Sequence, residues 1–351
     1  MEIIALDAHK RYSLAQVEDA QGKVIRRARI EHQRGQIQHF LRHCTSGSTV
    51  ALETIGNWYW IVDEIEAAGM RPVLVHARKA KLMMGKVNKT DRLDVLGLNW
   101  LQRAGTLPEV WIPPKELRDK RDLSRTRMVL TGMRTKIKNR IHSVFAKYAL
   151  HDFGEVSDIF CKGNRNMIEE RTKELPPETR FTTQCILEEL DALQGRIVHI
   201  ETRMRNAVEE TQEIKLLMTL PGVGFILAVV IAYEMGDVER FPSPGHFAAY
   251  AGTTPRVHAS GGKARHGSLR PDVNRYLKWA FIEAANAICL NKELHPYWHV
   301  SRLYKRIHER KGHPKAIGAI ARHLAEAAYC MMKKREPYKD KGVASVSSRK
   351  A

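Results

Sequence analysis

Four acidic residues near the start of the chain occupy positions where a carboxylate needs an explanation. Asp7 lies in the middle of the first apolar segment, and Glu53 ends a later one. Asp91 and Asp94 are three residues apart, a spacing that places two side chains on one face of a helix. A carboxylate inside an apolar strand is costly unless a partner compensates it. Asp7 in particular therefore needs a partner in the folded chain.

The segments around these acids have the pattern of an α/β domain. Three strands are predicted first, and strands then alternate with helices; the strands cover 3–8, 12–18, 23–30, 49–53 and 71–75, and the helices cover 33–43, 58–68 and 90–103. This order is that of the ribonuclease H-like fold, although other α/β domains share it. If the first and fourth strands are neighbours, Asp7 and Glu53 lie side by side, and the last helix brings Asp91 and Asp94 over them.

Four carboxylates gathered in this way would repel one another at neutral pH, and divalent cations are the usual remedy. Carboxylate oxygens are hard ligands that suit Mg²⁺ or Mn²⁺ better than zinc. Two such ions about 4 Å apart would hold both the attacking and the leaving oxygen of a phosphodiester. The alternative is that each acid caps a helix, pairs with a cation or faces water. For Asp91, which precedes Arg92, this alternative is the stronger one.

A second candidate site is the segment 252–268, which is rich in glycine and cations. Ser260 lies in it, flanked by the basic residues Arg256, Lys263 and Arg265. An exposed serine among cations has the hydroxyl and the positive charge that a phosphoryl-accepting nucleophile needs. The residues alone favour the simpler interpretation, a flexible loop that contacts phosphates without chemistry.

The net charge of +19 is concentrated in particular segments of the 351-residue chain. Lys and Arg exceed Asp and Glu by 4 in 1–114, by 8 in 115–147 and by 14 in 256–351, whereas 148–255 has an excess of 7 acids. Basic blocks separated by an acidic one favour a polyanionic partner, most often nucleic acid, over an enzyme that is merely basic.

Composition excludes several classes of protein. A hydrophobic fraction of 43% excludes wholesale disorder, and five widely spaced cysteines fit reduced thiols better than a disulfide framework. The longest apolar run, 225–232, is too short to cross a bilayer, so we expect no membrane segment and a cytoplasmic location.

Beyond Pro113-Pro114 the pattern becomes helical. Apolar residues at heptad spacing predict two long helices, 116–149 and 182–214, packed as an antiparallel coiled-coil hairpin. An internal scaffold and an arm for dimerisation or nucleic-acid binding are equally good interpretations of this hairpin. The segment Leu220-Pro221-Gly222-Val223-Gly224 favours a helix-hairpin-helix element over a plain helix–helix turn.

The sequence thus predicts four parts. Residues 1–112 form an α/β catalytic domain, and 113–215 form the helical arm. Residues 216–335 form a mainly α C-terminal domain that carries the Ser-Gly loop, and 336–351 form a basic, flexible tail.

Several short motifs follow one another along the chain. They are Ala5-Leu6-Asp7-Ala8-His9-Lys10, Leu52-Glu53-Thr54, Lys89-Thr90-Asp91-Arg92-Leu93-Asp94, Leu220-Pro221-Gly222-Val223-Gly224, Phe241, Ala248-Ala249-Tyr250-Ala251-Gly252, Pro255 and Ser260-Gly261. In residues, order and spacing the chain resembles the DEDD-type transposases of bacterial insertion sequences, the insertion sequence 110 family, over nearly its whole length.

The resemblance implies a RuvC-like ribonuclease H domain, a helical arm and a C-terminal transposase domain. It implies that Asp7, Glu53, Asp91 and Asp94 bind Mg²⁺ (or Mn²⁺). It also implies that Ser260 attacks a DNA phosphodiester to give a covalent phosphoserine link. The family often has a single polar residue after Ser-Gly, whereas this chain has a second glycine, so Ser268 is the alternative nucleophile.

We therefore expect a bacterial transposase or site-specific recombinase that acts on double-stranded donor and target DNA as a homo-oligomer, in the cytoplasm with the nucleoid. The resemblance further implies guidance by a structured RNA encoded by the element. The residues expected to hold the DNA backbone are Arg256, Lys263, Arg265, Arg270 and Arg275. The rivals are a junction-resolving endonuclease that uses the four acids with water, and a non-catalytic nucleic-acid-binding protein.

Overall fold

A computed structural model describes residues 1–85, 91–156, 158–269 and 273–340 of the chain. The chain divides into two compact units, Met1–Pro113 and the part that begins at Pro114. The four-part division based on sequence stays a prediction.

A six-stranded sheet forms the centre of the N-terminal unit. Its strands are β1 (Ile3–Ala8), β2 (Tyr12–Glu18), β3 (Val24–Glu31), β4 (Thr49–Glu53), β5 (Arg71–Val75) and β6 (Glu109–Val110), in the order β3-β2-β1-β4-β5-β6. β1 pairs antiparallel with β2 but parallel with β4, and β4 is parallel with β5. The predicted neighbourhood of the first and fourth strands is therefore observed.

Helices cover both faces of this sheet. They are α1 (Gln36–Leu41), α2 (Trp58–Ala67), α3 (Ala77–Met84) and α4 (Asp91–Arg103). Ile4 and Leu6 of β1 belong to one hydrophobic cluster with residues of α1 and α2. Ala5, on the other face, belongs to a second cluster with α3 and α4. This alternation follows from the two-residue period of a strand, and it decides which face each later residue of β1 occupies.

The sequence patterns missed α3 and β6 because these elements have only eight and two residues, too few to establish a period. α1 is shorter than the predicted 33–43. The predicted opening of α4 at Lys89 and Thr90 lies outside the described residues, and the described helix begins at Asp91.

Two long helices begin the second unit, as predicted. α5 (Lys115–Lys147) and α7 (Pro177–Ala207) run antiparallel, with the short α6 (Arg165–Lys173) between them in sequence. Arg127 contacts Glu201 near one end of the pair, and Tyr148 hydrogen-bonds Thr179 near the other. The second predicted helix, 182–214, is in fact two, because the backbone is extended at Val208 and a new helix begins after Thr211.

The remaining elements are mostly helical. They are α8 (Gln212–Met218), α9 (Phe225–Met235), α10 (Pro244–Tyr250), α11 (Arg275–Leu290), α12 (His299–Lys311) and α13 (His313–Lys334), which share one apolar core. Between α8 and α9, Gly222 has φ +75°, and a Cβ there would lie 2.3 Å from the Ala284 carbonyl oxygen of α11. The turn between these helices therefore requires glycine for both conformation and space.

One expectation for this unit was wrong, and the predicted tail 336–351 is described only as far as Asp340. Residues 252–268 are not a flexible loop, because β7 (Pro255–Ser260) and β8 (Lys263–Leu269) form an antiparallel hairpin. The described start of the predicted tail is docked: the Tyr338 backbone N–H donates to Thr219 Oγ1, and the Asp340 carboxylate accepts from the His299 N–H at the start of α12. Among the described residues, no helix is long and apolar enough to cross a membrane.

Candidate metal centre and serine hairpin

Asp7 and Glu53 lie at adjacent strand ends of the N-terminal unit. The pairing of β1 with β4 matches Leu6 with Leu52, so the next position on each strand holds one of the two acids. Asp7 shares its sheet face with Ala5, which packs toward α4. The carboxyl ends of parallel strands in an open α/β sheet are the usual place for a ligand.

α4 brings Asp91 and Asp94 to the same unit's sheet. The helix is fixed on the sheet by its later residues: Asn99 Nδ2 donates to the Gln16 carbonyl oxygen of β2, at 3.2 Å, and Gln102 Nε2 donates to the Thr49 carbonyl oxygen of β4, at 3.0 Å. Asp91 and Asp94 both stand in the first turn, where the helix dipole favours negative charge.

Asp7, His9 and Asp91 form the densest group of possible metal ligands among the described residues. One ligand atom from each lies within 4.8 Å of the other two. His9 Nε2 is 3.2 Å from Asp7 Oδ2 and 3.3 Å from Asp91 Oδ2. The structure therefore brings Asp7 and Asp91 together, whereas Glu53 and Asp94 lie outside this compact group.

His9 is the residue that sequence reasoning missed as a site residue. It follows Asp7 by two positions, and that spacing places two side chains on one face of an extended chain. The Asp-x-His spacing was therefore a usable signal. Two neighbours fix the histidine: its ring packs on Tyr12 with centroids 4.6 Å apart, and its carbonyl oxygen accepts from Asn57 Nδ2 at 3.2 Å.

Ser260 lies at the tip of the β7–β8 hairpin in the second unit. It is the last residue of β7, it is exposed, and it is opposite Lys263. Gly261 and Gly262 form the turn with φ of +56° and +74°. A two-residue hairpin turn with positive φ at both positions favours glycine strongly. The doubled glycine is therefore what this tight turn requires.

The two candidate serines are not interchangeable in this hairpin. Ser268 is also exposed, but it lies near the base, where β8 approaches Pro255. Ser268 lies five positions along β8 from Lys263, the residue opposite Ser260, and at about 3.3 Å per residue that is roughly 16 Å of strand.

The predicted DNA-contacting cations have different positions. Arg256 and Arg265 are exposed on the hairpin, and Arg265 shares a face with Ser260 because position 265 is opposite position 258, two residues before the serine. Lys263 belongs to β8. Arg275 begins α11, where it is exposed and donates to the Tyr276 hydroxyl at 2.9 Å. Arg270 lies outside the described residues.

A buried charge network lies close in sequence to the base of the hairpin. Glu234 of α9 is fully buried, and its carboxylate accepts from Arg125 at 2.6 and 2.9 Å and from Asn274 Nδ2 at 2.8 Å. Asn274 Oδ1 in turn accepts from the first N–H groups of α11. Burial lowers the pKa of the Arg121 guanidinium, and the nearby Glu234 carboxylate opposes that shift. This network ties α5 and α9 to the start of α11.

Two family models match the chain in succession. A transposase model of the DEDD type of IS110 elements matches residues 4–149, which include the acidic group. A model described as the transposase IS116/IS110/IS902 family matches residues 214–299, which include the serine hairpin.

The chain belongs to the IS110 family of transposases.

Membership assigns the chain to the DNA transposases and recombinases, and the DEDD type suggests use of a divalent metal. Similar proteins span most of this IS110-family chain. A probable family 20 transposase of Pseudomonas aeruginosa is 24% identical over 82% of the chain and 85% of its own length. The transposase for insertion sequence element IS1111A of Coxiella burnetii is 24% identical over 92% and 86%. The pilin gene-inverting protein of Moraxella bovis is 25% identical over 84% and 83%.

Proposed function

We propose that this chain is the transposase of a bacterial insertion sequence, a site-specific recombinase that cuts and rejoins double-stranded DNA in the cytoplasm. The observation that carries the proposal is the convergence of Asp7, His9 and Asp91 within 4.8 Å. Such a group at the carboxyl ends of parallel strands, in a member of a transposase family, supports metal-assisted phosphodiester chemistry.

The N-terminal unit is assigned to the ribonuclease H-like, RuvC-like fold in this proposal. The strand order β3-β2-β1-β4-β5 and the mixture of antiparallel and parallel pairs support the assignment. Because helices pack on both faces of the sheet, we assign the chemistry to the carboxyl ends of β1 and β4.

The donor set fits a hard divalent cation. Asp7 and Asp91 supply carboxylate oxygens, and Glu53 and Asp94 stand at neighbouring positions of β4 and α4. Oxygen ligands suit Mg²⁺ or Mn²⁺, whereas imidazole suits softer cations. We therefore assign the metal to the four acids, and we assign His9 to holding Asp7 and Asp91 together. A cation held by these carboxylates would supply charge that polarises the scissile phosphate.

Ser260 is the proposed nucleophile. Its Oγ forms a bond to the phosphorus while the phosphorus–sugar oxygen bond breaks; the serine proton passes to a base, and the leaving sugar oxygen takes up a proton. Attack by a second strand's hydroxyl on the phosphoserine then rejoins the DNA and regenerates serine. The exposure of Ser260 at the hairpin tip and the exposed guanidinium of Arg265 on its face support this role.

Two further parts of the proposal depend on the family resemblance. A structured RNA encoded by the element pairs with donor and target DNA, and a homo-oligomer brings the two DNA partners together. The basic blocks 115–147 and 256–351 are consistent with a large polyanionic substrate. Sequence specificity carried by base pairing would leave no trace in the side chains.

The deciding experiment compares Ser260→Ala with Ser268→Ala on DNA that carries the element ends, with the element transcript and Mg²⁺. We expect Ser260→Ala to bind DNA normally but to lose the covalent protein–DNA adduct and strand transfer by at least about 10³-fold. Ser268→Ala, a matched loss of one hydroxyl on the same hairpin, should keep both.

Other outcomes identify the rivals. Cleavage that persists in Ser260→Ala without an adduct would indicate a junction-resolving endonuclease that uses water. Loss of the adduct in Ser268→Ala alone would move the nucleophile to Ser268. Recombination of DNA without any transcript would contradict RNA guidance.

A further inference from the structure

An open cavity of about 310 Å³ lies beside the acidic group of the N-terminal unit. Its lining residues are Lys10, His32, Arg34, Asn57 and Trp60, and we name it the Trp60 pocket. Lys10 and Arg34 are exposed, whereas the other three are half-buried. The pocket therefore has a cationic rim around an aromatic and polar interior, and none of its five lining residues is acidic.

Hydrogen bonds fix the floor of the Trp60 pocket. Asn57 Nδ2 donates to the His9 carbonyl oxygen at 3.2 Å and lies 3.3 Å from His32 Nδ1. Because an amide nitrogen donates, this contact favours the tautomer in which His32 Nδ1 is the acceptor. The other ring nitrogen of His32 is 2.8 Å from Ser13 Oγ. Burial lowers the pKa of His32, and a hydrogen bond with the Lys10 backbone opposes that shift.

Trp60 is the aromatic wall of the pocket. His32 contacts it edge to face, with centroids 5.0 Å apart and ring planes at 83°. The Arg34 guanidinium lies 5.7 Å from the centre of the Trp60 ring system. An aromatic ring accompanied by arginine, beside a second cation, is the combination that proteins use to stack an unpaired base and hold its phosphate.

The turn between β1 and β2 contributes one residue to the acidic group, His9, and the next residue, Lys10, to the pocket. Lys10 follows His9 directly, and the His9 N–H donates to the Tyr12 carbonyl oxygen at 2.8 Å to close the turn between β1 and β2. Lys10, on the rim of the pocket, is therefore the chain neighbour of His9, which contacts both acids of the acidic group.

We propose that the Trp60 pocket binds the nucleotide next to the scissile phosphate of a DNA strand, with its base on Trp60 and its phosphate on Lys10 and Arg34. This inference rests on the proposed function, because it takes DNA as the substrate. It adds an unpaired-nucleotide site that the acidic group alone does not supply, and it predicts that the strand is locally unstacked beside the cut.

The test measures binding of the full-length chain to a fluorescein-labelled, 20-nucleotide single-stranded DNA in EDTA, by fluorescence anisotropy. Trp60→Ala should weaken binding about 10-fold, as expected for one stacked base, and Trp60→Phe should restore most of it. Arg34→Ala should weaken binding about 10-fold and reduce the slope of log K against log salt by about 1. Matched controls are Trp100→Ala and Arg42→Ala, which remove an exposed tryptophan and an exposed arginine of the same unit outside the pocket.

Equal effects of the pocket and control variants would overturn the inference. Since Trp60 packs against the core and Trp60→Ala could fail to fold, the exposed Arg34→Ala keeps the test decisive. A loss seen on RNA of the same sequence but not on DNA would also overturn it. If the pocket variants bind DNA normally and the parent chain cleaves it, only the pocket inference is refuted. If Asp7→Asn still cleaves DNA, the proposed function is refuted.

Discussion

The acidic group and the serine hairpin are held by different physical means. Asp7 is 9% exposed on a central strand, and its neighbours are fixed by a sheet with helices on both faces. Ser260 is exposed at the end of two strands that, among the described residues, pair only with each other. An isolated hairpin is marginal in water. The acidic group is therefore held rigidly by the sheet and its helices. The position of Ser260 instead depends on the Gly261-Gly262 turn and on how the base of the hairpin is held.

The largest expected effect is on the rigid site. Asp7→Asn removes one carboxylate from the acidic group and should lower DNA cleavage in Mg²⁺ by at least about 10³-fold, because the metal's charge stabilisation is lost. It should also abolish the rise in melting temperature on adding Mn²⁺, since a ligand that binds only the folded state stabilises it.

Glu66→Gln is the matched control for Asp7→Asn, because it neutralises an exposed acid on α2 of the same unit. Full cleavage by Asp7→Asn, with unchanged folding, would make the acids structural and favour a non-catalytic nucleic-acid-binding protein.

The next effect concerns the buried charge network around Glu234. Glu234→Ala leaves Arg125 without its buried carboxylate and should lower the free energy of unfolding of the second unit by about 3–5 kcal/mol. Denaturant titration measures it. Glu239→Ala, which breaks an exposed pair with Lys333, should cost far less, because solvent screens that pair. Equal costs for the two variants would show that the buried network does not support this unit.

A smaller effect is expected at His9, which either orients Asp7 and Asp91 or takes part in the chemistry directly. His9→Gln keeps a polar side chain but removes the imidazole that contacts Asp7 and Asp91. If His9 only orients the acids, metal affinity should fall about 10–100-fold, the range for residues that orient ligands, and excess Mn²⁺ should rescue cleavage. Failure of rescue at saturating Mn²⁺ would instead give His9 a direct part in the chemistry.

The smallest expected effect is in the hairpin turn. Gly262→Ala meets no neighbouring atom, so its cost is only the strain of φ +74°, about 1–2 kcal/mol. The covalent adduct should form more slowly, while melting of the whole chain changes little because the hairpin lies outside the main core. Gly195→Ala, a helical glycine with open space around it, is the control and should leave the adduct unchanged. An unchanged adduct rate in Gly262→Ala would show that the turn does not position Ser260.

Sequence patterns predicted the N-terminal strands well, because each has a short apolar run bounded by turn residues. They failed at α3 and β6, which are too short to establish a period, and at β7 and β8, whose cationic residues and glycines have the composition of a loop. In these two strands the pairing of one with the other, rather than burial of a face, decides the conformation.

The sequence by itself determined the alternation of strands and helices, the segmental charge and the position of each acid within its element, since these depend on local spacing. Only the tertiary structure decided that β1 adjoins β4 and that α4 lies across the face of Asp7. It also decided that His9, rather than Glu53 or Asp94, completes the compact group with Asp7 and Asp91. The reason is that such contacts depend on strand order and on helix packing over long separations in sequence, which no local pattern encodes.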